Sequence, residues 1–309
     1  MKNLFGDIIN VIIGAVAIFI ILTVFGFVID KVTIWMCPIQ VQGRYIFIDV
    51  SDEGQQGLAN LFIYEEGDIK TVVMVDVGPH STSEHLIDTL RENSIRQIDY
   101  LLVTHYHKDH AGAISDILDS GINIKTIYYN VTDNAVNDEN KEDYQSFIDV
   151  LNTLSENGTE IRQYPDNWTF YFGRFFRVEL IYKHDGVSMP IGRTTLNDTG
   201  VVLKFIYLKG LKEKSILITG DIGPVASDYI VSNKFEEIRD VNILQVPHHA
   251  ATPRVVDGFF YITSPDIALV PAYETLWDGE RCKDTKMILE NIDTQIRVSD
   301  IDGDVEIVF

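Results

Sequence analysis

The chain contains one stretch that decides its fold, Thr104-His105-Tyr106-His107-Lys108-Asp109-His110-Ala111-Gly112. An apolar run, residues 100–103, stands directly before it and has the length and flanks of a buried strand. The residues that follow it, 113–118, have a pattern that predicts a helix. The histidines are therefore expected on a strand-to-helix turn at one edge of a sheet.

Three imidazoles and one carboxylate are concentrated in this turn, although the chain has only 8 histidines in 309 residues. Burying so many polar groups costs free energy unless a partner satisfies them, and a divalent cation is such a partner. On an extended turn, His105 and His107 point the same way and can share one ion. Asp109 and His110 then face a second position. The alternative is a chance group of surface histidines.

The pattern His-x-His-x-Asp-His after a hydrophobic strand resembles the signature of the metallo-β-lactamase superfamily. That resemblance implies an α/β fold, a four-layer αββα sandwich of two sheets packed face to face with helices outside. Strand runs interleaved with helices in both halves of the chain fit this architecture. It also implies a cofactor of two divalent metal ions, with Zn as the first choice and Mn or Fe as alternatives.

Two further aspartates fit the pattern of the superfamily. Asp221 follows an apolar strand and Gly220, where the resemblance implies a carboxylate that bridges two metals through its two oxygens. Its alternative role is a cap of the next helix. Asp76, in Asp76-Val77-Gly78, is expected to contact and steady the histidine turn. An ordinary turn would use the same residues.

A second pair of histidines, His248 and His249, follows the apolar strand 241–246. The resemblance implies that His248 is the last metal ligand, and that His249 orients substrate or hydrogen-bonds to the ligands; a structural histidine is the alternative for His249. The implied metal ligands are His105, His107, Asp109, His110, Asp221 and His248, and the implied catalytic residues are Asp109, Asp221 and His249.

One histidine of the superfamily, between the first cluster and Gly220-Asp221, is absent in its usual form. The chain has Leu196-Asn197-Asp198-Thr199-Gly200 at that place. Either Asn197 or Asp198 is expected to face the site, or water completes the coordination, and His184 upstream is a further alternative. The departure predicts a first metal position weaker than the second.

A narrower resemblance covers residues 43–309, to the hydrolase domain of the ComEC-type competence protein and its stand-alone relatives. The segments that carry it are Asp49-Val50, Gln55-Gln56-Gly57, Asn197-Asp198-Thr199, Val246-Pro247-His248-His249 and residues 298–307. The chain departs from these relatives at Leu58, where they carry aspartate, and near Trp277-Asp278-Gly279, where a His-Pro pair is missing. The multi-helix channel of the full competence protein is also missing, so DNA transport is not implied.

The implied activity is hydrolysis by metal-activated water, on a phosphodiester in the manner of a nuclease or phosphodiesterase. Helices predicted to open after His110 and Asp221 favour an anionic substrate, because helix N-termini carry partial positive charge. One alternative is an ester, lactone or β-lactam hydrolase, although lactonases and lactamases usually keep the missing histidine. Another is a non-catalytic, membrane-tethered binding module.

Residues 8–29 form an almost uninterrupted apolar run without charge, which is long enough to span a bilayer as a helix. This predicts a membrane anchor at 1–30, a connector at 31–42 and the hydrolase domain at 43–309. A cleaved signal peptide is the rival, but residues 30–33 offer no small-x-small cleavage site. The expected localisation is single-pass in a membrane, with the side undetermined.

The net charge of the chain limits the kinds of molecule that it is expected to bind. A net charge of −21 and a pI near 4.6 argue against tight non-specific binding of nucleic acid through phosphate neutralisation. The expected partners are the membrane and a small-molecule or phosphodiester substrate, and the oligomeric state is left open. Cys37 and Cys282 provide neither a disulfide framework nor a Cys-x-x-Cys metal site.

Overall fold

The computed structural model describes residues 40–131, 140–184, 196–209 and 212–309. Contacts divide the chain into two units, one of Met1–Val41 with Glu66–Ile69 and one of Gln42–Glu65 with Lys70–Phe309. In the described part of the first unit, the Gly67 amide donates to the Gln40 carbonyl over 3.1 Å. The helices that the structure describes and the residues of the candidate site lie in the second unit.

The described residues form strands and helices that alternate along the chain. The strands are β1 (Val41–Ile48), β2 (Ala59–Glu66), β3 (Ile69–Val77), β4 (Gln97–Leu102), β5 (Asn123–Tyr129), β6 (Glu160–Gln163), β7 (Thr169–Tyr171), β8 (Phe176–Lys183), β9 (Val201–Lys209), β10 (Lys212–Ile218), β11 (Ile243–Gln245), β12 (Ile267–Val270), β13 (Gln295–Val298) and β14 (Val305–Val308). The helices are α1 (Ser83–Glu92), α2 (Lys108–Ala111), α3 (Ile114–Asp119), α4 (Lys141–Glu156), α5 (Pro224–Asn233), α6 (Phe235–Ile238), α7 (Asp257–Thr263), α8 (Glu274–Trp277), α9 (Lys283–Asn291) and α10 (Ser299–Asp302), with 3-10 turns at His80–Thr82, Asn197–Thr199 and Pro247–Ala250.

The strands make two sheets of seven, in the orders β14-β1-β2-β3-β4-β5-β6 and β13-β12-β11-β10-β9-β8-β7. Strands β3 to β6 run parallel, and so do β10 to β13. Parallel neighbours end at the same edge of a sheet, which is where open α/β sheets place their sites. The carboxyl ends of β3, β4, β10 and β11 carry Asp76, the histidine turn, Asp221 and the pair His248-His249, whereas Asn197 and Asp198 precede β9.

The two sheets pack face to face through aromatic side chains. Phe62 of β2 stacks on Phe205 of β9, with ring centroids 3.8 Å apart and planes 5° apart. Side chains alternate along β2, so its other face, Leu61 included, packs in a hydrophobic cluster with helices α1, α3 and α4. A second cluster, which includes Leu217 of β10, packs with α5, α7 and α9. This arrangement confirms the predicted αββα sandwich.

Strands β7 and β8 follow one another in the chain and pair antiparallel. The turn between them contains Gly173, which has a φ of +100°. A β-carbon there would lie 1.9 Å from the Tyr64 ring, so the close approach requires glycine. The Arg174 amide donates to the Tyr64 hydroxyl over 3.1 Å, which fixes the turn on the facing sheet.

The predicted membrane span, residues 8–29, lies outside the described residues. Among the residues that the structure does describe, none of the helices combines the length and the apolar character needed to cross a membrane. This finding contradicts the predicted localisation as a single-pass membrane protein. The predicted boundaries at residues 30 and 42 stay predictions.

Replacing Phe205 with alanine should lower the free energy of unfolding by about 3–5 kcal/mol, because it empties the centre of the interface between the sheets. The matched control is Phe235→Ala, because Phe235 is 44% exposed whereas Phe205 is 1% exposed. The control should change stability by about 0.5 kcal/mol or less. Urea denaturation of both variants measures the difference, and equal effects would contradict the described packing.

Candidate metal centre

The buried carboxylate of Asp76 organises the histidine turn. Asp76 lies at the end of β3 with a φ of +57°, a backbone conformation that non-glycine residues rarely adopt. Its Oδ1 accepts a hydrogen bond from the Thr104 amide over 2.8 Å, and its Oδ2 accepts one from the Thr104 hydroxyl over 2.6 Å. The same Oδ2 lies 2.8 Å from Nδ1 of His110. Asp76 thus contacts both ends of the histidine turn, at Thr104 and at His110.

His105 and His107 form a pair of neighbouring imidazoles. Nε2 of His105 lies 3.0 Å from Nδ1 of His107. The Thr104 hydroxyl, 3.1 Å from Nδ1 of His105, already donates its proton to Asp76, so it can only accept from that nitrogen. Nε2 of His105 therefore carries the lone pair, and it faces the partner histidine.

A second group brings together Asp109, His110, Asp221 and His249, whose candidate ligand atoms all lie within 4.8 Å of one another. Nε2 of His110 is 3.2 Å from Oδ1 of Asp221, and Nε2 of His249 is 3.2 Å from Oδ2 of the same carboxylate. Oδ2 of Asp109 lies 3.4 Å from Nε2 of His249. Asp221 therefore lies between the two imidazoles, at the centre of the group.

The hydrogen bonds of this group leave its lone pairs directed at its interior. Nδ1 of His110 faces the Asp76 carboxylate, and Nδ1 of His249 faces the Pro271 carbonyl over 2.6 Å, so both nitrogens must donate. In the neutral form of each ring, Nε2 then has the lone pair. These two atoms and Oδ1 of Asp221 are buried without a properly oriented hydrogen-bond partner. Such a donor set fits a divalent cation.

The charges of the group also suit a cation. Burial opposes charge on Asp221 and Asp109, but His249 and His110 outweigh it and lower the pKa of both carboxyls. Burial likewise opposes protonation of His249 and His110, yet the nearby carboxylates raise the pKa of His249 to about 9 and that of His110 well above its ordinary value. The carboxylates thus stabilise the protonated, positively charged form of the two imidazoles. A bound metal ion would supply that positive charge in place of the protons.

The histidine pair has the opposite electrostatics. Burial, together with the neighbouring His110 and His107, lowers the pKa of His105 well below its ordinary value. Burial is also the main cause that lowers the pKa of His107. Both imidazoles are therefore neutral at pH 7, which is the form that binds metal.

Asp221 is positioned by two contacts between strand ends. Gly220 has a φ of +54°, and a β-carbon there would lie 2.8 Å from the Thr104 hydroxyl oxygen. Glycine is therefore required where the loop after β10 meets the histidine turn. The Gln245 side chain at the end of β11 accepts from the amides of Thr219 and Gly220, each over 2.8 Å. The sequence pattern predicts no such role for Thr104 or Gln245.

The structure brings His249, not His248, into the four-residue group, contrary to the expected ligand set. Residues His248, His249 and Ala250 all have positive φ, of 51°, 54° and 63°. This left-handed turn places the His249 ring inward, whereas Nδ1 of His248 lies 2.9 Å from the Pro253 carbonyl at an exposed position. His249, which the sequence predicts to orient substrate, thus occupies the position predicted for His248 as a metal ligand.

The two residues at the place of the missing histidine have different surroundings. Oδ1 of Asp198 accepts hydrogen bonds from the Gly223 amide over 3.0 Å and the Ala226 amide over 2.9 Å. Its carboxylate therefore lies at the start of helix α5. Oδ1 of Asn197 is buried without a hydrogen-bond partner. His184 is buried, and its carbonyl accepts from the Asn130 side chain over 3.3 Å.

Replacing each of the adjacent histidines with alanine separates their roles. His249→Ala should lower the bound metal by about one ion per chain, because it removes a buried nitrogen from the group of four. His248→Ala should leave the metal content unchanged. Elemental mass spectrometry of the purified variants measures this, and metal loss confined to His248→Ala would contradict the assignment.

Replacing Asp76 with asparagine should weaken metal binding by about 10- to 100-fold, the usual effect of removing a residue that orients a ligand. Asparagine has only one acceptor oxygen, so it cannot accept from the Thr104 amide at one atom and from the Thr104 hydroxyl and His110 at the other, as the carboxylate does. Asp99→Asn is the matched control, since Asp99 accepts from Val72 and Gln97 on the same sheet but away from the centre. Competition with a chelating dye measures both affinities, and equal affinities would contradict the role of Asp76.

Comparison with known proteins gives a consistent result. The family model described as "Metallo-beta-lactamase superfamily" matches residues 55–271, more than half of the chain. No curated protein matches. Among solved structures, the metallo-beta-lactamase fold protein YhfI from Bacillus subtilis is similar, with 11% identity, a TM-score of 0.52, and coverage of 87% of this chain and 100% of that one.

Two further structures are similar at lower scores. A diphosphatase of the PhnP family has 12% identity and a TM-score of 0.49, and covers 87% of this chain and 98% of that one. Igni18, a metallo hydrolase from Ignicoccus hospitalis, has 13% identity and a TM-score of 0.46, with coverage of 87% and 98%. The family match and the buried donor group together identify the chain as a member of the metallo-β-lactamase superfamily and a metal-dependent hydrolase.

Proposed function

We propose that this hydrolase cleaves phosphodiesters, with water activated at a centre of two divalent cations, Zn or else Mn or Fe. The observation that carries the proposal is the convergence of Asp109, His110, Asp221 and His249 on one buried space. The neighbouring pair, His105 and His107, offers a second position. Carboxylate and imidazole ligands of this kind suit several divalent metals, so the donor set leaves the metal open.

The charge of the centre favours an anionic substrate. Two divalent cations carry four positive charges, and the carboxylates of Asp109 and Asp221 offset two of them. The rest of the chain is strongly acidic, with a net charge of −21. A phosphodiester is therefore attracted at the metal centre and repelled elsewhere, which favours a small substrate over a long polyanion.

The predicted contribution of a helix N-terminus after Asp221 needs correction. Helix α5 begins at Pro224, and the Asp198 carboxylate already accepts from the backbone amides of its first turn. That positive end is thus neutralised within the protein. The preference for a phosphodiester is instead supported by the metal centre and by the narrower resemblance to ComEC-type hydrolase domains.

The residues of the chain have separable roles in this reaction. Asp221 is buried, and each of its carboxylate oxygens lies 3.2 Å from Nε2 of one of the inward-facing imidazoles, those of His110 and His249. Asp109 is the more exposed carboxylate, 16% accessible, so it can accept a hydrogen bond from the attacking water. The Pro271 carbonyl fixes the tautomer of His249. When bound, the cations supply Lewis-acid chemistry and lower the pKa of water to about 7.

Replacing Asp221 with asparagine should lower phosphodiester hydrolysis by about 100-fold or more, because stabilisation by the metals contributes several kcal/mol to the transition state. The substrate is a chromogenic bis-aryl phosphodiester, assayed on the full chain after addition of Zn or Mn. Asp88→Asn is the matched control, because Asp88 is exposed on α1. Circular dichroism checks that both variants fold.

A parallel assay tests the other hydrolase activities that this scaffold offers. A carboxylic ester, a lactone and a chromogenic β-lactam are offered under the same conditions. Turnover of one of these with no phosphodiester cleavage would overturn the proposal. So would full phosphodiesterase activity of Asp221→Asn, since contamination would then account for it.

A further inference from the structure

We propose that Asn197 supplies its amide oxygen to the cation held by His105 and His107, at the place where the superfamily usually has a histidine. The proposal rests on the proposed function in requiring cations at this centre. It assigns the third protein ligand of the histidine pair to Asn197 among the candidates Asn197, Asp198 and His184. His184 has contacts of its own within the protein, so the choice lies between the two adjacent residues.

Asp198 is committed to a structural role. Its carboxylate is buried and accepts from the amides of Gly223 and Ala226 at the start of α5. Its carbonyl accepts from the Tyr182 hydroxyl over 2.8 Å. Removing this carboxylate from α5 would leave the buried amides of Gly223 and Ala226 unsatisfied, which is costly. Asp198 therefore holds the turn in place rather than serving as a ligand.

Asn197 has the opposite surroundings. Its amide oxygen is buried and has no hydrogen-bond partner, although buried polar atoms are nearly always paired. A buried acceptor of this kind is satisfied by a donor or by a cation. The Asp198 carboxylate and the Thr199 hydroxyl of the same turn have partners within the protein, so the Asn197 oxygen is the side-chain acceptor of the turn that is left to bind an ion.

The turn that carries Asn197 lies directly against the histidine turn. The Val201 amide donates to the Thr104 carbonyl over 3.1 Å. A β-carbon placed on Gly200 would lie 3.1 Å from the Asn197 carbonyl oxygen and 3.8 Å from Cβ of His105. The turn that carries residue 197 therefore packs against the backbone of Thr104 and Cβ of His105, one member of the histidine pair.

The proposed donor set makes the two metal positions chemically unequal. The position at His105 and His107 gains a neutral oxygen, whereas the position at Asp109, His110 and His249 has a carboxylate of its own in addition to Asp221. Fewer negative ligands mean weaker binding, and an oxygen ligand in place of nitrogen favours Mn²⁺ relative to Zn²⁺. We therefore expect two Mn²⁺ binding events, one tight and one weak.

Calorimetric titration of the metal-free full chain with Mn²⁺ tests this assignment, with electron paramagnetic resonance to count the bound ions. Asn197→Ala should lower the affinity of the weak event by about 10-fold or more, as is typical when a metal site loses a supporting group. The tight event should stay within about twofold of the wild type. In Asn197→His, titration with Zn²⁺ should show a higher affinity at the weaker of the two binding positions than in the wild type.

Asp198→Asn is the matched control, because its amide oxygen can still accept from Gly223 and Ala226. Both binding events should be unchanged in this variant. Asn197→Asp, which keeps an oxygen at the same place, should retain the weak event even where Asn197→Ala folds poorly. These readouts do not depend on turnover, so failure of phosphodiester hydrolysis with two intact binding events would reject the proposed function alone.

Three results would overturn the assignment. The first is a weak event of unchanged affinity in Asn197→Ala. The second is loss of that event in Asp198→Asn with the fold intact. The third is a single binding event in the wild-type chain, since no second cation would then exist for Asn197 to bind.

Discussion

The hydrogen bonds of one buried carboxylate, Asp76, support both parts of the centre. Through Thr104 they set the orientation of His105, and through Nδ1 they set the tautomer of His110. Thr104 is also the residue against which Gly220 packs, immediately before Asp221. A carboxylate of the first sheet thus reaches, through one threonine, the loop of the second sheet that carries Asp221, the central carboxylate of the candidate metal site.

This arrangement requires unfavourable backbone conformations at several residues. Left-handed conformations occur at Asp76 and at three consecutive residues, His248, His249 and Ala250, none of which is glycine. Each is unfavourable for an L-residue and persists only when its surroundings hold it. Around His249 the bonds to Pro271 and from Thr285 to Ala250 do this. Strain of this kind is typical of functional sites, and here it fixes which imidazole faces inward.

Much of the architecture could be predicted because its signals are local. The apolar strands, the histidine turn after β4 and the aspartate after β10 are short patterns that depend on their own neighbours. The choice between His248 and His249 could not be predicted, because no glycine marks the left-handed turn that reverses their directions. In an extended strand adjacent side chains alternate, and the sequence alone does not show where that alternation breaks.

Long-range contacts account for the other differences. Asp198 and the helix that it caps are separated by 25 residues at Gly223, so no local capping pattern predicts the contact. Gln245 similarly reaches Thr219 from the neighbouring strand, 26 residues away. Glycine is required at residue 173, in the turn between β7 and β8, because of the Tyr64 ring on the other sheet. The role of each of these residues depends on a contact that forms only when the chain is folded.

The 3-10 turn at Asn197–Thr199 has an evolutionary consequence. Its backbone is held by Asp198, by the Thr199 hydroxyl, which donates to the Leu196 carbonyl, and by the Val201 amide. The side chain of residue 197 contributes none of these bonds. Natural selection can therefore exchange this one side chain without rebuilding the loop, and lineages that inherit the same scaffold can diverge here in the metal that they use.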